Sequence, residues 1–222
     1  MAQVIDIFVG FDQREAVAYH TFCQSVIQTT TSPVRFTPLV AHGMDGQRDG
    51  SNAFIYSRFL VPYLMAYRGW AIFADGDMAV QTDIAKLWDM RDDRYAVQVV
   101  KHEYNTKHPV KYLGNKNEDY PRKNWSSLIL WNCEHSANRL LTPSRIKGLT
   151  GEFLHRFQWL HDGEIGELPR TWNWLVGEYP KNEYAHLLHY TIGTPCFEDY
   201  IDCDNASTWW YANEKSQEGL GD

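Results

Sequence analysis

Asp75 and Asp77, separated only by Gly76, follow directly on the apolar run Trp70-Ala71-Ile72-Phe73-Ala74. Asp and Gly are poor strand formers, so the run reads as a buried strand that ends at the first carboxylate. Side chains at i and i+2 leave an extended segment on one face. Two carboxylates held side by side repel each other, and a divalent cation between them removes the repulsion. Such a cation at the end of a central strand can hold the phosphates of a nucleotide. The same tripeptide also suits a solvated turn, because Asp-Gly is common turn chemistry. The rest of the chain decides between the two.

The elements that would position this pair alternate between strand and helix patterns. Residues 4–10 form an apolar run, and the polar Asp12-Gln13-Arg14-Glu15 leads into a segment whose apolar positions recur at three- and four-residue steps: Ala16, Tyr19, Cys23, Val26 and Ile27. A second strand is expected over residues 34–40, a glycine-bearing loop over 43–50 and a helix over 54–67. After the aspartates, a short helix over 84–88 and a strand over 95–100 are expected. The polar stretch 102–124 reads as a mobile loop over a site. A strand over 126–131, helical stretches within 143–159 broken by Gly148 and Gly151, and a last strand over 185–190 follow. Residues 212–222 read as a polar tail that frays. Alternation of this kind predicts an α/β fold, a mixed and mostly parallel sheet flanked by helices.

Composition narrows the function. The 222 residues, 44% of them hydrophobic, suit one domain over 1–222, and the net charge of −7 comes without any basic cluster suited to nucleic acid. No nucleic-acid partner is expected. The apolar stretch 59–74 is broken by Pro62, Arg68 and Gly69, so no membrane segment is expected. Residues 1–6 carry an acid and no basic n-region, and the four cysteines have neither CxxC pairing nor zinc-like spacing. Reduced thiols and a cytoplasmic location are the expectation. Nine tryptophans in a chain that is 14% aromatic fit both core packing and a carbohydrate site.

Five places in the chain, in this order, resemble the GT-A glycosyltransferases and, within them, glycosyltransferase family 8. They are Ile7-Phe8-Val9-Gly10-Phe11-Asp12; Tyr56-Ser57-Arg58-Phe59; Asp75-Gly76-Asp77 as the D-x-D motif; Trp125-Ser126-Ser127-Leu128-Ile129-Leu130-Trp131-Asn132; and His189-Tyr190 followed by Gly193. The resemblance implies a single Rossmann-like GT-A domain and transfer of a hexose from a nucleotide-sugar donor, a UDP-sugar by family, to a carbohydrate or other hydroxyl acceptor. It implies that Asp75, Asp77 and His189 hold the metal and that Arg58 faces the metal and diphosphate. It further implies that Asp12, with Phe11 as its aromatic neighbour, holds the nucleoside, and that Ser126 and Ser127 lie beside the donor sugar. Gly76, Gly193 and Thr194 complete the implied donor site.

Elementary chemistry agrees with this assignment. A metal across the phosphates stabilises the charge of the leaving diphosphate without proton transfer. Two carboxylates, an imidazole and phosphate oxygens form a mixed O/N set that suits Mn²⁺ better than Mg²⁺. A charge-assisted hydrogen bond from Arg58 is worth about 1.5–3 kcal/mol. Asp162 and Glu164 are the candidates for the group near the reacting carbon. One would serve as general base in an inverting enzyme or as same-face stabiliser in a retaining one, and family resemblance favours retention. Trp172 and Trp174 are candidates to floor the sugar or acceptor site.

Each residue also has a purely structural alternative: Arg58 in an exposed ion pair, His189 as a core histidine, Asp12 as a helix cap. The chain departs from the family in one place, because the lysine expected shortly after Gly193 is absent and none follows until Lys215. A catalytically silent module that binds nucleotide sugars is therefore one alternative. A haloacid-dehalogenase-type phosphatase is another, but it wants Thr or Val where Ala79 stands.

Overall fold

A computed structural model describes residues 3–40 and 55–218 of the chain. Strand β1 (Ile5–Gly10) leads through a 3-10 turn into helix α1 (Ala16–Thr29) and strand β2 (Val34–Leu39). A 3-10 turn (Ser57–Leu60) and the short helix α2 (Val61–Leu64) precede β3 (Trp70–Ala74) and β4 (Met78–Val80). Helix α3 (Ala85–Trp88), β5 (Val97–Val99), β6 (Leu128–Asn132), α4 (Pro143–Gly148) and α5 (Gly151–His155) follow. The chain continues with β7 (Ile165–Glu167), β8 (Trp174–Leu175), β9 (Leu187–His189) and α6 (Ala206–Gln217).

Six strands form one sheet in the order β2-β1-β3-β6-β5-β7, and β4-β9-β8 form a second. Strands β2, β1 and β3 run parallel, β6 is antiparallel to both neighbours, and β5 and β7 are parallel. Alternate side chains of the central strands feed two cores. Ile5, Ile7, Val9, Ile72, Leu128 and Leu130 pack on one face with Phe22 and Val26 of α1. Phe8, Phe73, Ile129 and Trp131 pack on the other with Phe59 and Phe157. Burial on both faces explains why these strands are continuous apolar runs. Each large side chain so buried contributes about 1.5–3 kcal/mol relative to exposure.

Two segments differ from the sequence expectation. Of the helix expected over 54–67, only the 3-10 turn and α2 form within the described residues; the expected loop at 43–50 lies outside them. Helix α2 stops because Ala66 and Tyr67 take positive φ, with the Tyr67 amide donating back to Pro62 O at 2.8 Å, an end bond of the Schellman kind. Residues 212–217, expected to fray, belong to α6. Trp209, Ala212 and Asn213 are buried, and Asn213 Nδ2 donates to Thr21 Oγ1 at 3.0 Å, docking α6 on α1.

Candidate functional site

Register brings the first and third sequence motifs together. Val9 pairs with Ala74, so the ends of β1 and β3 leave the sheet side by side. Asp75 N extends the β3–β6 ladder by donating to Ser127 O at 2.9 Å. The chain then turns sharply through Gly76 into β4, where Met78 pairs with His189 and the Tyr190 amide donates to Asp77 O at 2.9 Å. The two sheets therefore meet at the aspartates. One ligand atom each from Asp75, Asp77 and His189 lies within 4.8 Å of the other two, the one such grouping of three among the described residues.

His189 is oriented by a chain of hydrogen bonds. Ser127 Oγ donates to Asn124 O at 2.7 Å and so accepts from Asn173 Nδ2 at 2.8 Å. That leaves Asn173 Oδ1 facing His189 Nδ1 at 3.0 Å. Nδ1 must then carry a proton, which leaves Nε2, 3.4 Å from Asp77 Oδ1, as the ring atom open to a metal. Fixing the tautomer of a metal-ligating imidazole by an outer amide is the usual device. His189 is buried, as the core-histidine alternative requires, but its Nε2 faces the carboxylates.

Arg58 is buried too, which removes the exposed-ion-pair alternative. Its guanidinium lies 3.0 Å from Asp75 Oδ1, donates to Ser126 O at 2.8 Å and sits over the Phe73 ring at 4.9 Å. Burial and the neighbouring Asp77 push Asp75 up to about 6 despite Arg58. Burial also acts to raise Asp77, but the charge and hydrogen bond of His189 outweigh it and hold Asp77 low. One carboxylate is thus held in its charged form while the other is reluctant to ionise beside it, an arrangement that a dication relieves. Buried oxygen donors with one imidazole fit a divalent transition-type cation such as Mn²⁺, and also Mg²⁺.

The polar cavity around these groups is also lined by Ser126, Ser127, Lys111, Tyr120, Thr191 and His155. Other expected residues are placed differently. Asp12 accepts from Arg14 N at 2.9 Å and pairs with its guanidinium at 2.5 Å, so it does cap the turn before α1. Phe11 packs edge-on against Tyr19. Asp12 and Phe11 stand at the end of β1, beside the cavity rather than on its lining. Gly193 packs against the Tyr200 ring, and the Thr194 hydroxyl is 2.9 Å from Cys196 Sγ; neither lines the cavity. Asp162 and Glu164 do not reach it: Asp162 is 87% exposed and pairs with Arg122 at 2.5 Å, while Glu164 caps its own turn at His161 N. Trp172 lies wholly in the core beneath the sheet and Trp174 donates to Pro180 O, so neither floors the cavity.

Sequence reasoning missed Asn173, hidden between two tryptophans, Lys111, within the stretch read as a loop, and His155, within the expected helical stretches. The stretch read as a mobile loop, 102–124, is tied down. Glu178 accepts from Lys107 N at 2.8 Å and from Asn117 Nδ2 at 3.0 Å, and Lys123 Nζ donates to Asn117 Oδ1 at 2.6 Å. Histidines 102 and 155 are held at about 3. Burial is the main cause, with His189 and Arg170 adding to it for His102 and Arg58 for His155.

These two histidines predict acid lability. An imidazole whose folded pKa lies below its unfolded value of about 6.5 binds fewer protons folded than unfolded. Stability is full above pH 6.5 and falls as the pH drops toward 3. His102 is 4% exposed and accounts for roughly 2 kcal/mol of loss between pH 7 and 5. In chemical denaturation across this range, His102→Gln is expected to lose about 2 kcal/mol less than wild type; an identical pH slope would contradict the assignment.

The comparisons with known proteins agree with this geometry. The family model described as glycosyl transferase family 8 matches residues 15–137, more than half of the chain. Protein CDI of Arabidopsis thaliana is 42% identical over 217 residues, covering 91% of this chain and 83% of that protein. Among solved structures, the bifunctional glycosyltransferase WbbM superposes with a TM-score of 0.67 at 14% identity over 96% of this chain, which spans 50% of that chain's length. The galactosyltransferase LgtC, solved with donor and acceptor sugar analogs, superposes with a TM-score of 0.61 at 12% identity, covering 95% of this chain and 96% of LgtC. No helix among the described residues is long and apolar enough to cross a membrane. With its D-x-D carboxylates at the junction of two sheets and its GT-A fold, the chain belongs to glycosyl transferase family 8.

Proposed function

We propose that the protein transfers a hexose from a nucleotide-sugar donor, a UDP-sugar by family resemblance, to a hydroxyl acceptor with retention of configuration. The convergence of Asp75, Asp77 and His189 beside Arg58 in one polar cavity is the observation that carries this reading. Those three residues would hold Mn²⁺ or Mg²⁺. The bound ion would supply charge stabilisation to the departing diphosphate. Arg58 binds the diphosphate from the Asp75 side, and its guanidinium needs no reorganisation because Ser126 O and Phe73 already fix it. Ser126 and Ser127 border the donor sugar. Phe11 and Asp12, at the adjacent end of β1, receive the nucleoside. The four free cysteines support a cytoplasmic setting.

The test is turnover. UDP-, GDP- and ADP-hexoses are incubated with the enzyme in Mn²⁺ or in EDTA, and release of nucleoside diphosphate is followed with and without simple sugar acceptors. Release from one donor class, abolished by EDTA and giving a product of unchanged anomeric configuration, is expected. Release that EDTA leaves intact, or none from any donor, would contradict the reading.

A further inference from the structure

Lys111 is the one ammonium on the lining of the cavity among the described residues. Its Nζ donates to Thr191 Oγ1 at 2.9 Å, which is its single hydrogen bond among those residues. Burial lowers its pKa, opposed by the charges of Asp77 and Asp75 across the cavity. A lysine can be found in such a place merely to neutralise nearby carboxylates. Its mounting shows more than that. The backbone around it is a tight hairpin: Lys111 N donates to Asn115 O at 2.8 Å, Asn117 N to Pro109 O at 2.9 Å, and Val110 bridges Lys116. Tyr112 N donates to Ile192 O at 2.8 Å, stapling that hairpin to the strand-end segment just after His189. The ammonium thus lines the same cavity as Asp75 and Asp77 on an anchored stretch of backbone, yet is hydrogen-bonded to a neutral hydroxyl instead of to either of them.

We propose that Lys111 is the second cation of the diphosphate subsite, delivered by the 102–124 segment to the cavity that Arg58 also lines. The inference rests on the nucleotide-sugar reading given above. Formal charge supports it: two carboxylates, a dication, a guanidinium and an ammonium leave two positive charges, which the two negative charges of a sugar-nucleotide pyrophosphate neutralise. Without Lys111 a buried pyrophosphate would keep an uncompensated charge. The position also accounts for the chain having no lysine between Gly193 and Lys215, because the same charge enters from a different part of the chain.

Calorimetry on Lys111→Met, with Lys111→Gln as a second variant should the first unfold, separates this role from a structural one. UDP, GDP and ADP are titrated in Mn²⁺ together with the matching nucleosides, and Mn²⁺ is titrated alone. Loss of one charge-assisted contact should weaken the nucleoside diphosphate on the order of tenfold to a hundredfold. The matching nucleoside should change by less than about threefold, because it carries no phosphate for the ammonium to meet. Mn²⁺ alone should bind as tightly as before or more tightly, since a like charge beside its ligands is gone. Equal diphosphate affinity in the variant and wild type would overturn the proposal and leave the donor-site reading standing. Equal losses for nucleoside, diphosphate and metal would also overturn it, assigning Lys111 to the fold. Wild type that binds none of the three diphosphates would overturn both.

Discussion

Asp77→Asn is expected to weaken metal-dependent donor binding by at least about a hundredfold and to suppress sugar transfer to the same degree or beyond, while the protein stays folded. The side chain keeps its shape, so the turn into β4 survives; what changes is charge. Asp77 is the carboxylate that His189 keeps ionised. Removing one charged member of a buried, paired set costs roughly 3–5 kcal/mol of the interaction it made, which corresponds to a hundredfold or more in affinity. Stability should fall less than in Asp75→Asn, because relief of the like charge beside Asp75 offsets the lost contact with His189. Asp75→Asn should behave differently. It removes the carboxylate that neutralises the buried Arg58 guanidinium, so melting temperature and binding should fall together. Thermal unfolding run beside calorimetry distinguishes the two variants, and equal melting losses for both would contradict the division of labour between the aspartates.

Gly76→Ala should damage the site without touching a functional group. A Cβ at Gly76 would lie 2.5 Å from Gly10 O, a backbone atom at the end of β1. No rotamer change relieves that contact, so the turn must move away from β1. A loss of about 2–4 kcal/mol in stability is expected, in the range of overpacking at a rigid site. Metal-dependent nucleotide affinity should drop at least tenfold as the carboxylates shift. Gly148→Ala is the control: a Cβ there meets nothing within 4 Å at the end of α4, and stability should change by less than about 1 kcal/mol. Denaturation midpoints of the two variants measure the contrast, and a Gly76→Ala protein as stable as wild type would refute the close approach.

What the sequence made legible was what short-range chemistry dictates. The runs around β1, β3 and β6 are apolar because both sheet faces are covered, and the aspartates announce themselves by ending a buried strand. Arg58 and His189 were placed by resemblance and by chemistry, and both point into the cavity. The residues it failed to mark are defined by distant contacts. Asn173 matters because it joins Ser127 to His189, residues 46 and 16 positions away, and nothing in Trp172-Asn173-Trp174 signals that. Strands β4 and β8 span only Met78–Val80 and Trp174–Leu175, too short to show any period. Asp162 and Glu164 were plausible by motif order alone, and their outward placement follows from an ion pair with Arg122 and a local turn cap. Residues 212–217 of the polar tail became helix because Asn213 found Thr21, 192 residues earlier.

Metal-dependent binding of a nucleoside diphosphate in the cavity is the property on which the assigned function depends most directly. The measurement is calorimetric titration of UDP, GDP and ADP into the wild-type protein, once in Mn²⁺ and once in EDTA. Saturable binding of one of them in Mn²⁺, gone in EDTA, is the predicted result, and it names the base. Binding that persists unchanged in EDTA, or the absence of binding by all three in Mn²⁺, would contradict it and return Asp75 and Asp77 to the role of a turn between two sheets.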